Sequence, residues 1–203
     1  NVGLGISVLG VPSRPPLPTA KWIASLQELS GGRLLFGIGP GWMQAEFTAL
    51  GVDRRQRGKT TDDTMDFIRA CFDAPDDIVE SNGQSFLFRP NPKRPPIYVG
   101  GMSDAALERT IRYGDGWLPM GIDPEKLRPR VERLKELAAG ANKACPDIVL
   151  IGTLPDEQSE AIDMLARCAE MGATDYIQAS RYSDEHEFDR IAARLEDLKG
   201  QID

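Results

Sequence analysis

The sequence predicts an α/β protein in which parallel strands alternate with helices. Three observations carry that expectation. Short apolar runs recur along the 203 residues, and nearly all are followed by a stretch with helical spacing. Glycine and proline mark the joints between them. Hydrophobic residues make up 41% and charged residues 27%, the balance of a folded globular chain.

Val2-Gly3-Leu4-Gly5-Ile6-Ser7-Val8-Leu9 reads as a first, buried strand. Pro12, Pro15, Pro16 and Pro18 then stiffen an extended loop. Thr19 caps a helix over roughly Ala20 to Leu29, with Trp22, Ile23, Leu26 and Leu29 near one apolar face, and Ser30-Gly31-Gly32 stops it. Arg33 to Ile38 is the second strand, followed by Gly39-Pro40-Gly41-Trp42. Helical stretches follow near Met43 to Leu50 and Thr61 to Phe72, on either side of a basic segment (Arg54, Arg55, Arg57, Lys59) that reads as a solvated loop.

Between Asp73 and Pro96 the alternation breaks. Ile78-Val79-Glu80 and Ser85-Phe86-Leu87-Phe88 flank Ser81-Asn82-Gly83, which predicts a hairpin with Asn-Gly at its turn. The segment 73–96 is therefore an insertion. The βα rhythm then resumes with strands at Ile97–Val99, Gly116–Met120, Ile148–Thr153 and Asp175–Ala179. Helices are expected at Asp104–Tyr113, Pro124–Ala139, Asp156–Met171 and Asp184–Leu198. Six strands outside the hairpin fit a doubly wound open sheet or a (β/α)8 barrel. A barrel has eight strands and about 250 residues, so six would be a barrel lacking its first two.

Composition narrows the function. Lys+Arg total 24 against Asp+Glu 31, a formal charge of -7, which argues against binding duplex nucleic acid. No apolar run approaches the roughly 18 residues of a membrane span. Cys71, Cys145 and Cys168 are odd in number and far apart, and read as reduced core thiols of a cytoplasmic protein. The lone histidine, His186, excludes a site built from several histidines and reads as a surface residue at a helix start. The chain opens at Asn1 directly into a strand, with no signal-peptide pattern, so upstream sequence is expected.

Ligands of parallel α/β folds lie at the carboxyl ends of the strands. Three loops there stand out. Gly39, Pro40 and Trp42 combine close backbone approach with a flat apolar wall, or else form a tight turn. Gly100-Gly101-Met102-Ser103 opens a helix, where exposed N–H groups and a hydroxyl suit an anion; alternatively the glycines turn the chain and Ser103 caps the helix. In Gly114 to Gly121, Trp117 reads as a packing residue and Met120 as a candidate ligand neighbour. No nucleophile and base fall together, and no strand-end lysine stands ready for aldolase chemistry.

Taken together, Ser30-Gly31-Gly32-Arg33-Leu34-Leu35-Phe36-Gly37-Ile38-Gly39-Pro40-Gly41-Trp42, Pro95-Pro96-Ile97-Tyr98-Val99-Gly100-Gly101-Met102-Ser103 and Gly114-Asp115-Gly116-Trp117-Leu118-Pro119 resemble the luciferase-like monooxygenase family. The resemblance runs over nearly the whole chain. It implies a TIM barrel of which residues 1–203 form one domain, strands three to eight, with Asn1–Leu9 as the third strand. It implies FMN or the deazaflavin coenzyme F420 as cofactor, the Gly-Trp pattern being nearer the F420 branch. It places Ser7-Val8 at a non-prolyl cis peptide behind the cofactor ring, Gly39, Pro40 and Trp42 beside the ring, and Gly100, Gly101 and Ser103 at the cofactor phosphate. A homodimer is implied as well. The expected activity is hydride transfer between F420 or a flavin and a small organic substrate; the alternative is a catalytically silent barrel that binds flavin or nothing.

Overall fold

The computed structural model describes residues 2–202; Asn1, the first residue of the expected third barrel strand, lies outside them. The described chain forms two compact units, 2–100 with Arg112–Asp115, and Gly101–Ile111 with 116–202.

In the first unit the order is β1 (Leu4–Gly10), α1 (Pro16–Leu29), β2 (Leu34–Gly39), α2 (Gln44–Ala49), α3 (Arg57–Phe72), β3 (Ile78–Ser81), β4 (Gln84–Leu87) and β5 (Ile97–Gly100). β1 pairs in parallel with β2, and β2 with β5. β3 and β4 form a separate antiparallel hairpin, with Asn82 and Gly83 both at positive φ (51° and 73°) in its two-residue turn. That is the geometry Asn-Gly favours, and it bears out the hairpin expected between Asp73 and Pro96. The core gathers Val11, Ile23, Phe36, Ile38, Met65, Ile68, Phe88 and Ile97 from strands and helices alike.

Two expectations need correction here. β1 is not a buried strand: Leu4 and Val8 are 44% and 40% exposed, and among its residues only Leu9 is buried. Among the described residues β1 pairs with β2 alone, so one edge has no strand to shield it. Helix α1 begins at Pro16, four residues earlier than Thr19 would set it, because proline is tolerated in a first helical turn. Thr19 instead sits inside the helix, its hydroxyl donating to the Pro15 carbonyl at 2.8 Å. The buried face of α1 is Ala20, Ile23, Ala24 and Gln27, leaving Trp22 and Leu29 exposed. The Gln27 amide explains its own burial: it accepts from the Leu34 N–H and donates to the Lys93 carbonyl.

The second unit holds most of α4 (Asp104–Tyr113), then β6 (Gly116–Leu118), α5 (Pro124–Gly140), β7 (Asp147–Gly152), α6 (Gln158–Met171), β8 (Asp175–Gln178) and α7 (Glu185–Ile202). β7 pairs in parallel with β6 and with β8. Leu107, Trp117, Leu127, Leu134, Ile148 and Leu150 form its core. Cys71 and Cys168 are buried as expected, and burial pushes the Cys71 thiol up to about 11. Cys145 departs from expectation and is exposed, in the loop between α5 and β7. None of the described helices is long and apolar enough to cross a membrane.

Candidate functional site

The carboxyl end of β1 is irregular. Pairing with β2 runs from Ile6 opposite Phe36 to Leu9 opposite Ile38, so β1 carries one residue more than its partner. Bulges of this kind re-aim side chains at sheet rims. Ser7 and Val8 fill this bulge, and the peptide bond between them is cis. Ser7 is exposed.

Val8 lies across a floor of glycines. A Cβ added at Gly39 would come within 2.8 Å of Val8 Cγ2, and one at Gly100 within 3.0 Å of Val8 Cγ1. At Gly37 an added Cβ would meet the Ile6 carbonyl oxygen at 2.0 Å. Glycine is needed at these positions because the bulged strand presses directly on the sheet. Val8 thereby keeps one face to its neighbours and leaves 40% of its surface open, an apolar surface against which a planar group could lie.

The loop after β2 adds a second apolar group. Pro40 is half-buried, while Trp42 is 76% exposed. Arg54 donates from Nε to the Trp42 carbonyl at 3.1 Å, so the basic segment steadies this loop. At 76% exposure the indole is not a core residue.

The turn at the start of α4 belongs to the second unit. Gly101 has φ of 119°, a conformation that strains any side chain, and an added Cβ would meet Ala106 at 3.1 Å. Ser103 caps the helix: its hydroxyl accepts from the Ala106 N–H at 3.3 Å and its carbonyl from Ala106 and Leu107. Among the described residues the Met102 N–H donates to no group, and the turn from Met102 to Ala105 is exposed. A helix N-terminus keeps free donors beyond those its cap satisfies. Asp104 carries an opposing charge and is paired with Arg130 at 2.6 Å.

Trp117 is fully buried, and its indole N–H donates to the Gly101 carbonyl at 2.7 Å. The residue read as packing thus also fixes the turn. Met120 is 72% exposed beyond β6, held by a bridge to Ile151. Asp115 orders the start of β5: its carboxylate accepts from the Ile97 N–H at 2.7 Å and from Arg94 at 3.1 Å. His186 is exposed near the start of α7.

The residue types fit a flavin-like cofactor. Val8 and Trp42 are exposed apolar groups of the kind a ring covers, and the Gly101–Ser103 turn offers N–H donors of the kind a phosphate takes. Sequence reasoning overlooked Gly37 as a site support and missed Tyr176 and Gln178 at the end of β8. Tyr176 donates toward the Gly152 carbonyl and Gln178 Oε1, both at 2.5 Å, and burial pushes its phenol up to about 12. Two hydrogen-bonding residues spaced by two on a strand were the available signal.

The chain is a parallel α/β protein with a bulged, glycine-floored apolar wall after β1 and a glycine turn that opens α4. Residues 1–200 match the family model for luciferase-like monooxygenases, and the chain belongs to that family. It is 33% identical over 180 residues to the uncharacterized protein Rv0940c of Mycobacterium tuberculosis, a match covering 86% of this chain and 60% of the relative. It is 33% identical over 152 residues to the 5,10-methylenetetrahydromethanopterin reductase of Methanolobus tindarius, covering 72% and 45%. The chain thus spans about 60% or less of these curated relatives. Its fold is similar to the coenzyme F420 dependent tetrahydromethanopterin reductase of Methanopyrus kandleri (TM-score 0.60, 21% identity, 80% of this chain and 54% of that one). It is also similar to the oxygenating constituent of 3,6-diketocamphane monooxygenase from Pseudomonas putida, solved with FMN (TM-score 0.63, 18% identity, 81% and 52%).

Proposed function

We propose that the chain is the cofactor-binding part of an oxidoreductase that moves a hydride between coenzyme F420 and a small organic substrate. The observation that carries this reading is the exposed Val8, laid over Gly39 and Gly100, in a luciferase-like monooxygenase family member. Bound there, a deazaflavin supplies reversible two-electron chemistry, so the protein needs no nucleophile of its own.

In this reading Ser7, Val8, Gly39, Pro40, Trp42 and Gly100 are the residues for the ring, with Val8 and Trp42 excluding water. Gly101 and Ser103 are the residues for the phosphate, through their N–H donors, and Met120 is an apolar neighbour of the ligand. The reductase of Methanolobus tindarius, at 33% identity, supports a reducing role, and the F420 dependence of the Methanopyrus kandleri enzyme supports the deazaflavin. FMN is the second reading, favoured by the monooxygenase solved with it.

The same proposal takes the six strands as three to eight of a (β/α)8 barrel, in a cytoplasmic homodimer. Among the described residues β1 pairs only with β2 and β8 only with β7, and such open edges invite further pairing, which supports association. A monomeric mass by light scattering at micromolar concentration would contradict the dimer.

The test is to mix the chain with oxidised F420 and a panel of alcohols and reduced pterins, and to follow loss of the deazaflavin absorbance. Substrate-dependent reduction is expected. A cofactor that binds but is never reduced by any member of the panel would leave the silent-barrel alternative in its place.

A further inference from the structure

The second unit carries a cleft of about 920 Å³ at the carboxyl ends of β7 and β8, lined by Arg181, Arg190 and Arg194. Three guanidinium groups around one cleft are unexpected in a chain whose formal charge is -7. Residues 190 and 194 are four apart on α7 and so share one face of the helix. Ile191 and Leu195 line the same cleft beside them.

The arginines are only partly engaged. Arg194 donates to the Pro155 carbonyl, and Arg190 lies 3.9 Å from Glu187, too far for a hydrogen bond. Arg181 has no partner among the described residues. Two carboxylates also line the cleft. Glu187 is occupied, accepting from the Ser183 N–H and hydroxyl at 2.8 and 2.9 Å, contacts that hold its carboxyl below the usual range. Asp156 is exposed and has no ion pair among the described residues. Three positive charges against two negative ones leave a net positive cleft.

Gln178, which also lines the cleft, is held by several hydrogen bonds. It accepts from the Leu154 N–H at 3.1 Å and from Tyr176, and donates to the Ser180 hydroxyl at 2.9 Å. A hydrogen-bonded polar group, a partly free arginine set and an apolar strip are complementary to one kind of ligand. Guanidinium forks match carboxylate and phosphate oxygens, and Ile191 and Leu195 suit a small apolar body.

The geometry points to a subsite for a small organic anion, an apolar body bearing a carboxylate or phosphate, at the ends of β7 and β8. It would hold the anionic end of the substrate; this last step rests on the oxidoreductase reading above, while anion binding itself does not.

Titration calorimetry or NMR with the chain alone, and no cofactor, tests it. Benzoate and phenyl phosphate are the probes, benzamide the neutral isostere and inorganic phosphate the bare anion. Benzoate or phenyl phosphate should bind with a dissociation constant on the order of 10 mM or tighter. Benzamide and inorganic phosphate should each bind about tenfold more weakly or worse. Arg181→Gln and Arg190→Gln should each weaken the anionic probe several-fold with the thermal midpoint kept. Asp156→Asn should strengthen it by removing a like charge. Equal binding of benzoate and benzamide, or of benzoate and inorganic phosphate, would overturn the subsite, as would unchanged affinity in the folded arginine variants. Because no cofactor is present, such a failure leaves the hydride-transfer reading intact.

Discussion

The two units solve the carboxyl ends of their strands in opposite ways. In the first, Gly37, Gly39 and Gly100 strip the sheet of side chains so that the bulged Val8 lies on bare backbone, and the exposed groups are apolar. In the second, the strand ends carry Tyr176, Gln178 and Ser180, joined by hydrogen bonds as short as 2.5 Å, beside a cleft lined by partly engaged arginines. One unit is specified by close packing, the other by directed polar contacts. Packing against backbone leaves little room for an added atom, and packing against a side chain only somewhat more, whereas a polar network loses one bond at a time.

That contrast can be broken at Gly37. Alanine there puts a Cβ 2.0 Å from the Ile6 carbonyl oxygen, a backbone atom that cannot step aside. Gly37→Ala should cost about 3 kcal/mol or more in denaturant unfolding. A loss below 1 kcal/mol would show that the floor is not closely packed.

In the second unit the corresponding change is Trp117→Phe. It removes the bond to the Gly101 carbonyl and leaves a small void in a fully buried position. The expected cost is about 2 kcal/mol, read from the same unfolding curves.

Gly39→Ala sharpens the account of the first unit. Its Cβ meets Val8 Cγ2 at 2.8 Å, a side-chain atom that can yield, so about 1–2 kcal/mol is expected. Combining it with Val8→Ala should recover most of the loss attributable to the contact. Simple additivity of the two variants would deny that Val8 rests on Gly39.

The smallest effect is a labelling rate. Cys145 is exposed while Cys71 and Cys168 are buried, and burial raises the Cys71 thiol to about 11. A thiol reacts as its thiolate, so a raised value lowers the reactive fraction at pH 8. One thiol should react quickly in the folded protein and three in denaturant, counted with a chromogenic disulfide.

Much of this was legible in the sequence. Helix α4 starts and ends where the apolar spacing and Ser103 set it, and Asn82-Gly83 turns the hairpin as expected. The motif residues Gly39, Gly100 and Gly101 lie where backbone must come close or adopt positive φ. What failed depended on neighbours. The run from Val2 to Leu9 has the composition of a buried strand, yet composition cannot show that β1 has one partner. Trp22 lies one position off the buried face set by Ile23 and Gln27, where the small Ala20 and Ala24 face the core in place of the larger apolar residues. The arginine cleft was half legible, since 190 and 194 share a helix face, but Arg181 joins them only through the fold.

The central claim is that this chain holds a deazaflavin. Equilibrium titration with F420 and, separately, FMN, followed by fluorescence, tests it most directly. The account predicts saturable F420 binding, weaker FMN binding, and a larger loss of F420 affinity in Gly101→Asp, which adds bulk and a like charge, than in Ser103→Ala. Tighter FMN than F420 binding would contradict the choice of cofactor, and binding of neither would contradict the claim itself.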